Sequence, residues 1–145
     1  MAAWHEWSAA GLAAAYAAKE VSPVEVVRAV VAHIEQREPV LRAMYAFDAD
    51  AALQQARASE ARWQRGEPLS PIDGVPGTLK ENIATRGCPT PLGTAATELV
   101  PASEDAPPAA RWKEAGLVLL GKTTMPDWGM LSSGLSTFHA LARNP

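Results

Sequence analysis

The sequence contains 145 residues with a formal net charge of -3, and 48% of them are hydrophobic and 20% charged. This length allows one domain with a buried core, and the balance of residue types is that of a soluble globular protein. The net negative charge argues against a nucleic-acid-binding protein, which needs a clustered basic face. The one cysteine, Cys88, excludes an internal disulfide and a cysteine-based metal framework.

No segment has the pattern of a membrane or secretory protein. The N-terminus lacks the basic start and apolar core of a signal peptide, and no apolar run reaches membrane-spanning length. We therefore expect a cytoplasmic protein that binds neither membranes nor nucleic acids. The first 66 residues are alanine-rich with helical spacing, whereas residues 67–145 are rich in Pro, Gly and Thr. We interpret the two parts as a helical layer and a region of sheet and loops within one domain.

Two helices are predicted near the N-terminus. Ser8 is a suitable N-cap for a helix that ends near Lys19. Residues 22–25, Ser-Pro-Val-Glu, form a capping box with proline at the first helical position, so they start a second helix. Pro39 is expected to stop that helix, because proline has no backbone N–H to donate.

A short strand and a third helix follow. Residues 43–47 predict the strand, and Asp48 is a suitable cap for a helix that ends at Gly66. A solvated outer face and an inner face packed by alanines explain all three helices, so we assign them no chemistry.

The second half predicts a strand-loop-helix-strand unit. Apolar residues 75–79 form the first strand, and the continuous apolar run 117–120 forms the second, as expected of a strand buried on both faces. Between them lie a loop at 84–104, rich in Gly, Pro and Thr, and a helix that Asp105 caps and Gly116 ends. The two strands of such a unit are parallel, with a right-handed crossover.

Residues 116–123 match the spacing of a phosphate-binding loop, but that loop needs a strand before it and a helix after it. Here a helix precedes, and four buried aliphatic residues cannot turn their backbone amides around a phosphate. We expect no nucleotide and no other cofactor. His5, His33 and His139 share no metal-ligand spacing, and Cys88 has no nearby histidine, so we expect neither a metal site nor a cysteine nucleophile.

The segment around Lys80 is the most distinctive. Two prolines and two glycines lead into a short apolar run that ends in a lysine and, two residues later, an asparagine. Asp73-Gly-Val-Pro-Gly-Thr-Leu-Lys-Glu-Asn82 resembles the lysine motif of the amidase signature family, serine hydrolases with a Ser-cisSer-Lys triad. The flanking segments resemble the same family. The resemblance implies an α/β protein, the N-terminal part of an α/β/α sandwich on a mixed, mostly parallel sheet.

By this resemblance, Lys80 would be the terminal base of the triad. Uncharged, it accepts a proton that a cis-peptide serine relays from the nucleophilic serine, and burial favours the uncharged form. The alternative is an ordinary exposed lysine at a strand end, paired with a carboxylate. Strand alternation should point Glu81 away from Lys80.

Residues 123–133 resemble the family's loop between a strand and the catalytic core, and Pro126 can open a short helix there. The resemblance places Met130 and Ser132 beside the bound acyl group; a core methionine and a helix-capping serine are the alternatives. Residues 132–136 are not expected to hold the nucleophile, because they lack the Gly-Gly-Ser-Ser-Gly-Gly context of the family.

The implied function is an amidase that hydrolyses a small-molecule carboxamide through an acyl-enzyme. In the family both catalytic serines follow the Arg-Asn-Pro of residues 143–145, so we expect this chain alone to be inactive. We also expect it to be marginally stable and to self-associate through exposed apolar surface. Two other functions stay open: an amidotransferase subunit that feeds ammonia to a partner, and a non-catalytic binding or scaffold remnant.

Overall fold

The computed structural model describes residues 3–144, which form a mixed α/β structure. The helices in this part of the chain are α1 (Ala9–Ala18), α2 (Pro23–Leu41), α3 (Ala49–Arg65) and α4 (Pro107–Glu114). The strands are β1 (Met44–Tyr45), β2 (Pro76–Lys80) and β3 (Val118–Thr123), and single 3-10 turns lie at Trp4–Glu6 and Asp127–Gly129. None of the helices among these residues is both long and apolar enough to cross a membrane.

Side-chain caps fix the starts of the first three helices as predicted. The Ser8 hydroxyl accepts a hydrogen bond from the backbone N–H of Gly11 at 3.1 Å. Ser22 and Glu25 form the reciprocal pair of a capping box, at 2.9 and 3.2 Å. The Asp48 carboxylate accepts from a backbone N–H in the first turn of α3 at 2.9 Å. Because these signals lie within four residues of sequence, they could be predicted without the fold.

The predicted end of α2 at Pro39 is wrong, because the helix continues through Pro39 to Leu41. A proline inside a helix removes one backbone hydrogen bond and crowds the preceding turn. Here it lies in the last turn, and the helix still ends in a backbone hydrogen bond, which the Arg42 N–H donates to the Glu38 carbonyl at 2.9 Å. Arg42 then leaves the helix with φ +51°.

The strands form one sheet in the order β1-β3-β2. β1 is antiparallel to β3, with Met44 opposite Thr123 and Tyr45 opposite Lys122. β3 extends three residues beyond the predicted apolar run, which ends at Leu120. The residues Gly121 to Thr123, which imitate a phosphate-binding loop in the sequence, therefore belong to a strand.

β2 is parallel to β3, as predicted for a strand-loop-helix-strand unit. The Val118 N–H donates to the Val75 carbonyl at 3.0 Å, and the Glu81 N–H donates to the Thr123 carbonyl at 3.0 Å, so both strands run in the same direction. One parallel and one antiparallel pair make the sheet mixed, which confirms the predicted α/β class.

The described residues divide into two compact units. The first unit comprises residues up to 36, 48–77 and 111–120, and the second comprises 37–47, 78–110 and 121 onwards. In the first, a hydrophobic core gathers around Tyr16, whose side chain is buried and whose hydroxyl donates to the Gly74 carbonyl at 3.3 Å. The candidate site lies in the second.

Candidate active site

Lys80 lies at the end of β2, where the strand alternates between a buried and an open face. Leu79 and Glu81 are buried at 5% and 0% exposure, whereas Lys80 between them is exposed. The backbone around it is fixed, because Glu81 pairs with β3 and the Ile83 N–H donates to the Lys80 carbonyl at 3.0 Å. The alternation predicted for Lys80 and Glu81 is therefore present.

The Lys80 side chain makes no hydrogen bond or ion pair with any residue that the structure describes. It is thus not the carboxylate-paired lysine of the alternative interpretation. It is equally not covered in this chain, although a neutral base requires desolvation. Lys80 is an accessible primary amine on a rigid strand end.

Glu81, on the opposite face, is a buried carboxylate with both oxygens occupied. Its Oε1 accepts a hydrogen bond from the Gly93 N–H at 2.6 Å. Its Oε2 accepts from Nε2 of His139, whose side chain is only 8% exposed. A carboxylate removed from water is costly unless it is paired and hydrogen-bonded, and these two donors meet that requirement.

A second lysine, Lys122, shares this buried region and was not predicted as a functional residue. Its side chain is 1% exposed, and its Nζ has no hydrogen-bond partner among the described residues. Burial lowers the pKa of Lys122, while Cys88 and Glu81 act in the opposite direction. The sequence did not indicate a role for Lys122, because this lysine lies in residues 116–123, which match the spacing of a phosphate-binding loop.

Tyr45 lies opposite Lys122 in the sheet and belongs to the same region. Its hydroxyl donates to the Pro89 carbonyl at 3.3 Å, and its ring lies 5.3 Å from the His139 ring, edge to face. Burial, assisted by Cys88 and Glu81, raises the pKa of Tyr45 to about 12. The hydroxyl therefore stays protonated at neutral pH.

Met130 and Ser132 lie on a loop, residues 127–137, that is closed at its base. The Thr137 N–H and hydroxyl donate to the two Asp127 carboxylate oxygens at 3.0 and 2.5 Å. These hydrogen bonds hold the pKa of Asp127 below its usual value. Met130 is 83% exposed and Ser132 is exposed, so the loop displays both outward and Met130 is not the core methionine of the alternative.

The remaining candidates form no reactive cluster. His5 and His33 stack on each other, with ring centroids 3.8 Å apart. Cys88 donates a weak hydrogen bond to the Pro89 carbonyl at 3.4 Å. Within residues 3–144 there is no group of three or more His, Cys, Asp or Glu side chains that could hold a metal ion.

Residues 25–145 match the family model described as Amidase. This match covers most of the chain, and the chain therefore belongs to the amidase family of amide-cleaving enzymes. The predicted family membership is confirmed.

Two curated relatives have a more specific name. A glutamyl-tRNA(Gln) amidotransferase subunit of Acidothermus cellulolyticus is 42% identical over 138 residues, which are 95% of this chain and 27% of the relative. A protein of the same name from Myxococcus xanthus is 42% identical over 92% of this chain and 28% of its own length. The chain thus spans less than a third of the curated relatives it matches.

Solved structures share the fold. The native peptide amidase of Stenotrophomonas maltophilia superimposes with a TM-score of 0.86 at 28% identity, over 98% of this chain and 30% of that chain. A fatty acid amide hydrolase gives a TM-score of 0.92 over 99% of this chain and 25% of that chain; at 24% identity it supports the fold alone.

Proposed function

We propose that this chain is the lysine-bearing part of an amidase that hydrolyses a small-molecule carboxamide through an acyl-enzyme. Lys80 is the terminal base, and Met130 and Ser132 lie beside the substrate's acyl group. The observation that carries the proposal is the position of Lys80 inside the family motif. It is an exposed amine at the end of β2 without a partner among residues 3–144, where a neighbouring part of the enzyme can approach it.

The proposed chemistry needs a proton acceptor, a nucleophile and a relay. A serine hydroxyl attacks the amide carbonyl, a second serine passes its proton to the neutral Lys80 amine, and the same proton returns to the leaving nitrogen. Water then cleaves the acyl-enzyme. Both serines are supplied by residues outside this chain, which also cover Lys80 and disfavour its charged form. Since a triad acts as a unit, residues 1–145 alone are inactive.

An amidotransferase subunit is the second candidate, because the curated relatives at 42% identity carry that name. The first half of the chemistry is shared: an amide is cleaved and ammonia is released. The two candidates differ in the fate of the ammonia, which the amidase releases into solvent and the amidotransferase passes to an acceptor bound by a partner. Ammonia release that rises when a partner subunit is added would favour the second.

The test uses the complete polypeptide that contains this chain. Lys80→Ala is expected to lower the rate of amide hydrolysis by about a hundredfold to ten-thousandfold, the usual contribution of a general base. Lys80→Arg should not restore the rate of amide hydrolysis, because a guanidinium stays charged and accepts no proton. In the wild type the rate should fall in acid, where the protonated lysine blocks the relay.

Lys113→Arg is the matched control, since Lys113 is an exposed lysine on α4 outside the motif. It should keep the wild-type rate. Wild-type turnover by Lys80→Arg would rule out Lys80 as a proton acceptor. A folded wild type that cleaves no amide, with or without a partner, would favour the non-catalytic remnant instead.

A further inference from the structure

The buried carboxylate of Glu81 is bonded to its neighbour segments in a closed ring. Gly93 and His139 each donate one hydrogen bond to it. The same two residues are joined to each other by Ser136, whose hydroxyl donates to the Gly93 carbonyl at 2.5 Å and accepts from the His139 N–H at 2.8 Å. Segments 58 residues apart in sequence thus meet at one carboxylate.

The ring is attached directly to the loop of residues 127–137. Ser136 and Thr137 are the last residues of that loop, and Thr137 closes it on Asp127. Gly93 packs against the chain just before the loop: a Cβ placed on Gly93 would lie 2.4 Å from the Pro126 carbonyl oxygen. Both ends of the loop are therefore held by residues that bond to, or pack around, Glu81.

Lys80 is the residue next to Glu81 on the same strand end, and it faces the other way. A shift of the Glu81 backbone would move Lys80 with it, since Glu81 is also paired to β3 through its N–H. One residue is thus coupled both to the lysine and to the loop that carries Met130 and Ser132.

We propose that Glu81 is a positioning residue: with His139 it fixes the loop of residues 127–137 relative to Lys80. This inference rests on the proposed function, because it concerns how the acyl-binding loop and the base of one site are aligned. Glu81 touches neither the substrate nor the reacting atoms. Its effect on activity is exerted through the place of Met130 and Ser132.

The kinetic test compares Glu81→Gln and Glu81→Asp in the complete polypeptide. Glu81→Gln removes the charge at constant size, and we expect KM to rise about tenfold with a smaller change in kcat. The acid limb of the pH profile should stay in place, because Lys80 is still the base. Glu81→Asp keeps a carboxylate and should recover part of the loss. Glu98→Gln, at an exposed glutamate of the same unit, should behave as wild type.

A second pair of variants changes His139, the side chain that donates a hydrogen bond to Glu81. His139→Phe keeps an aromatic ring beside Tyr45 but removes the donor to Glu81, and it should raise KM as Glu81→Gln does. His139→Gln keeps an N–H donor and should be milder. Unchanged kcat/KM in both Glu81→Gln and His139→Phe would overturn the proposal, and so would a fall in kcat at constant KM.

Amide hydrogen exchange separates this proposal from the proposed function, because it needs no activity. In Glu81→Gln we expect the amides of Gly93, Thr137 and His139 to exchange at least tenfold faster, while amides in α1 keep their wild-type rates. Wild-type exchange at all three amides would overturn the inference even in an active enzyme. Faster exchange in a protein that cleaves no amide would support the ring and refute only the amidase.

Discussion

Lys122 and Lys80 belong to neighbouring strands but have opposite environments. Lys80 is exposed, whereas Lys122 is 1% exposed. Among residues 3–144, neither ammonium group has a hydrogen-bond partner. A lysine without a bonded partner in a buried place favours its neutral form. The environment expected of a neutral lysine is thus that of Lys122 in this chain, whereas the proposed role of Lys80 requires that a further part of the amidase cover it.

Replacement of Lys122 by methionine is predicted to stabilise the protein at neutral pH. The pKa of Lys122 is lowered in the folded state, so from that pKa up to the unfolded value of about 10.4 the unfolded chain binds more protons. The contribution of Lys122 to the free energy of unfolding therefore rises with pH across this window. Lys122→Met removes the cost of the buried charge, and we expect a gain of about 1 kcal/mol or more in the free energy of unfolding.

Urea unfolding at several pH values checks this prediction. The gain from Lys122→Met should be largest at neutral pH and should shrink above about pH 10, where lysine is neutral in both states. Lys19→Met, at an exposed lysine, should show no such trend. A loss of stability at pH 7 would mean that the attraction of Glu81 and Cys88 outweighs the burial of the ammonium group.

Asp73, at the start of the lysine motif, has a structural role that can be tested separately. Its side chain is fully buried and accepts two hydrogen bonds of 2.6 Å from Arg62 and one of 2.9 Å from the Leu69 N–H. Burial alone would raise the pKa of Asp73, but these donors hold it below its usual value. The carboxylate thus ties helix α3 to the turn before β2.

Asp73→Asn is expected to cost about 3 kcal/mol in the free energy of unfolding, since it leaves Arg62 without its counter-charge. The pH dependence has a definite sign. Because the folded pKa is depressed, the contribution is complete above the unfolded pKa of about 3.9 and is lost as the pH falls through the folded value. Thermal unfolding between pH 7 and pH 2 measures it, with Asp50→Asn at an exposed aspartate as control. Equal stability of Asp73→Asn and wild type at pH 7 would contradict the assignment.

At the scale of elements, the features that could be predicted are those fixed by residues close together in the sequence. The capping residues Ser8, Ser22 and Asp48 act within one helical turn, and the helices begin where they indicate. The prediction from Pro39 was wrong because the cost of a proline depends on how many helical residues follow it, and only two follow it here. β3 was predicted too short because its last residues lack an apolar pattern and are held by pairing with β1.

In the candidate site, too, nearby residues in the sequence indicated some members, whereas contacts between distant residues could not be predicted. A contiguous motif indicated Lys80, and a family resemblance indicated Met130 and Ser132; their catalytic and binding roles stay predictions. The pairing of Glu81 with His139 could not be predicted, because the two residues are 58 apart and neither lies in a pattern that names the other. Their contact follows from the course of the loops, which residue spacing does not encode.

Gly93 packs against the residues just before Asp127. A comparison with Gly87 tests whether this position requires a glycine. Gly93 has φ +70° and no room for a Cβ, whereas Gly87 has φ +81° and open space around it. Alanine at either position is strained by the positive φ, at a cost of about 1 kcal/mol. Gly93→Ala must also displace the Pro126 carbonyl.

We therefore expect Gly93→Ala to lower the free energy of unfolding by at least about 1 kcal/mol more than Gly87→Ala does. Chemical denaturation of both variants measures the difference. Equal costs would show that the loop moves freely away from Gly93, which would also weaken the ring around Glu81.

The whole molecule exposes apolar side chains that a monomeric protein normally covers. Four of them lie in the loop of residues 127–137: Trp128 at 56%, Met130 at 83%, Leu131 at 50% and Leu135 at 56% exposure. A cluster of this kind marks a surface that contacts something else. Under the proposed function, the part of the amidase that supplies the two serines would cover this surface.

The isolated 145-residue chain is accordingly predicted to self-associate and to bind a hydrophobic dye. Sedimentation velocity over a range of concentrations should reveal oligomers, because association removes this apolar surface from water. The double change Met130→Gln and Leu131→Gln should shift the distribution towards monomer and reduce dye binding. Leu99→Gln, at an exposed leucine outside the loop, is the control and should have a smaller effect. A monomeric chain that unfolds cooperatively and binds no dye would contradict the prediction. It would mean that the loop packs closed in solution.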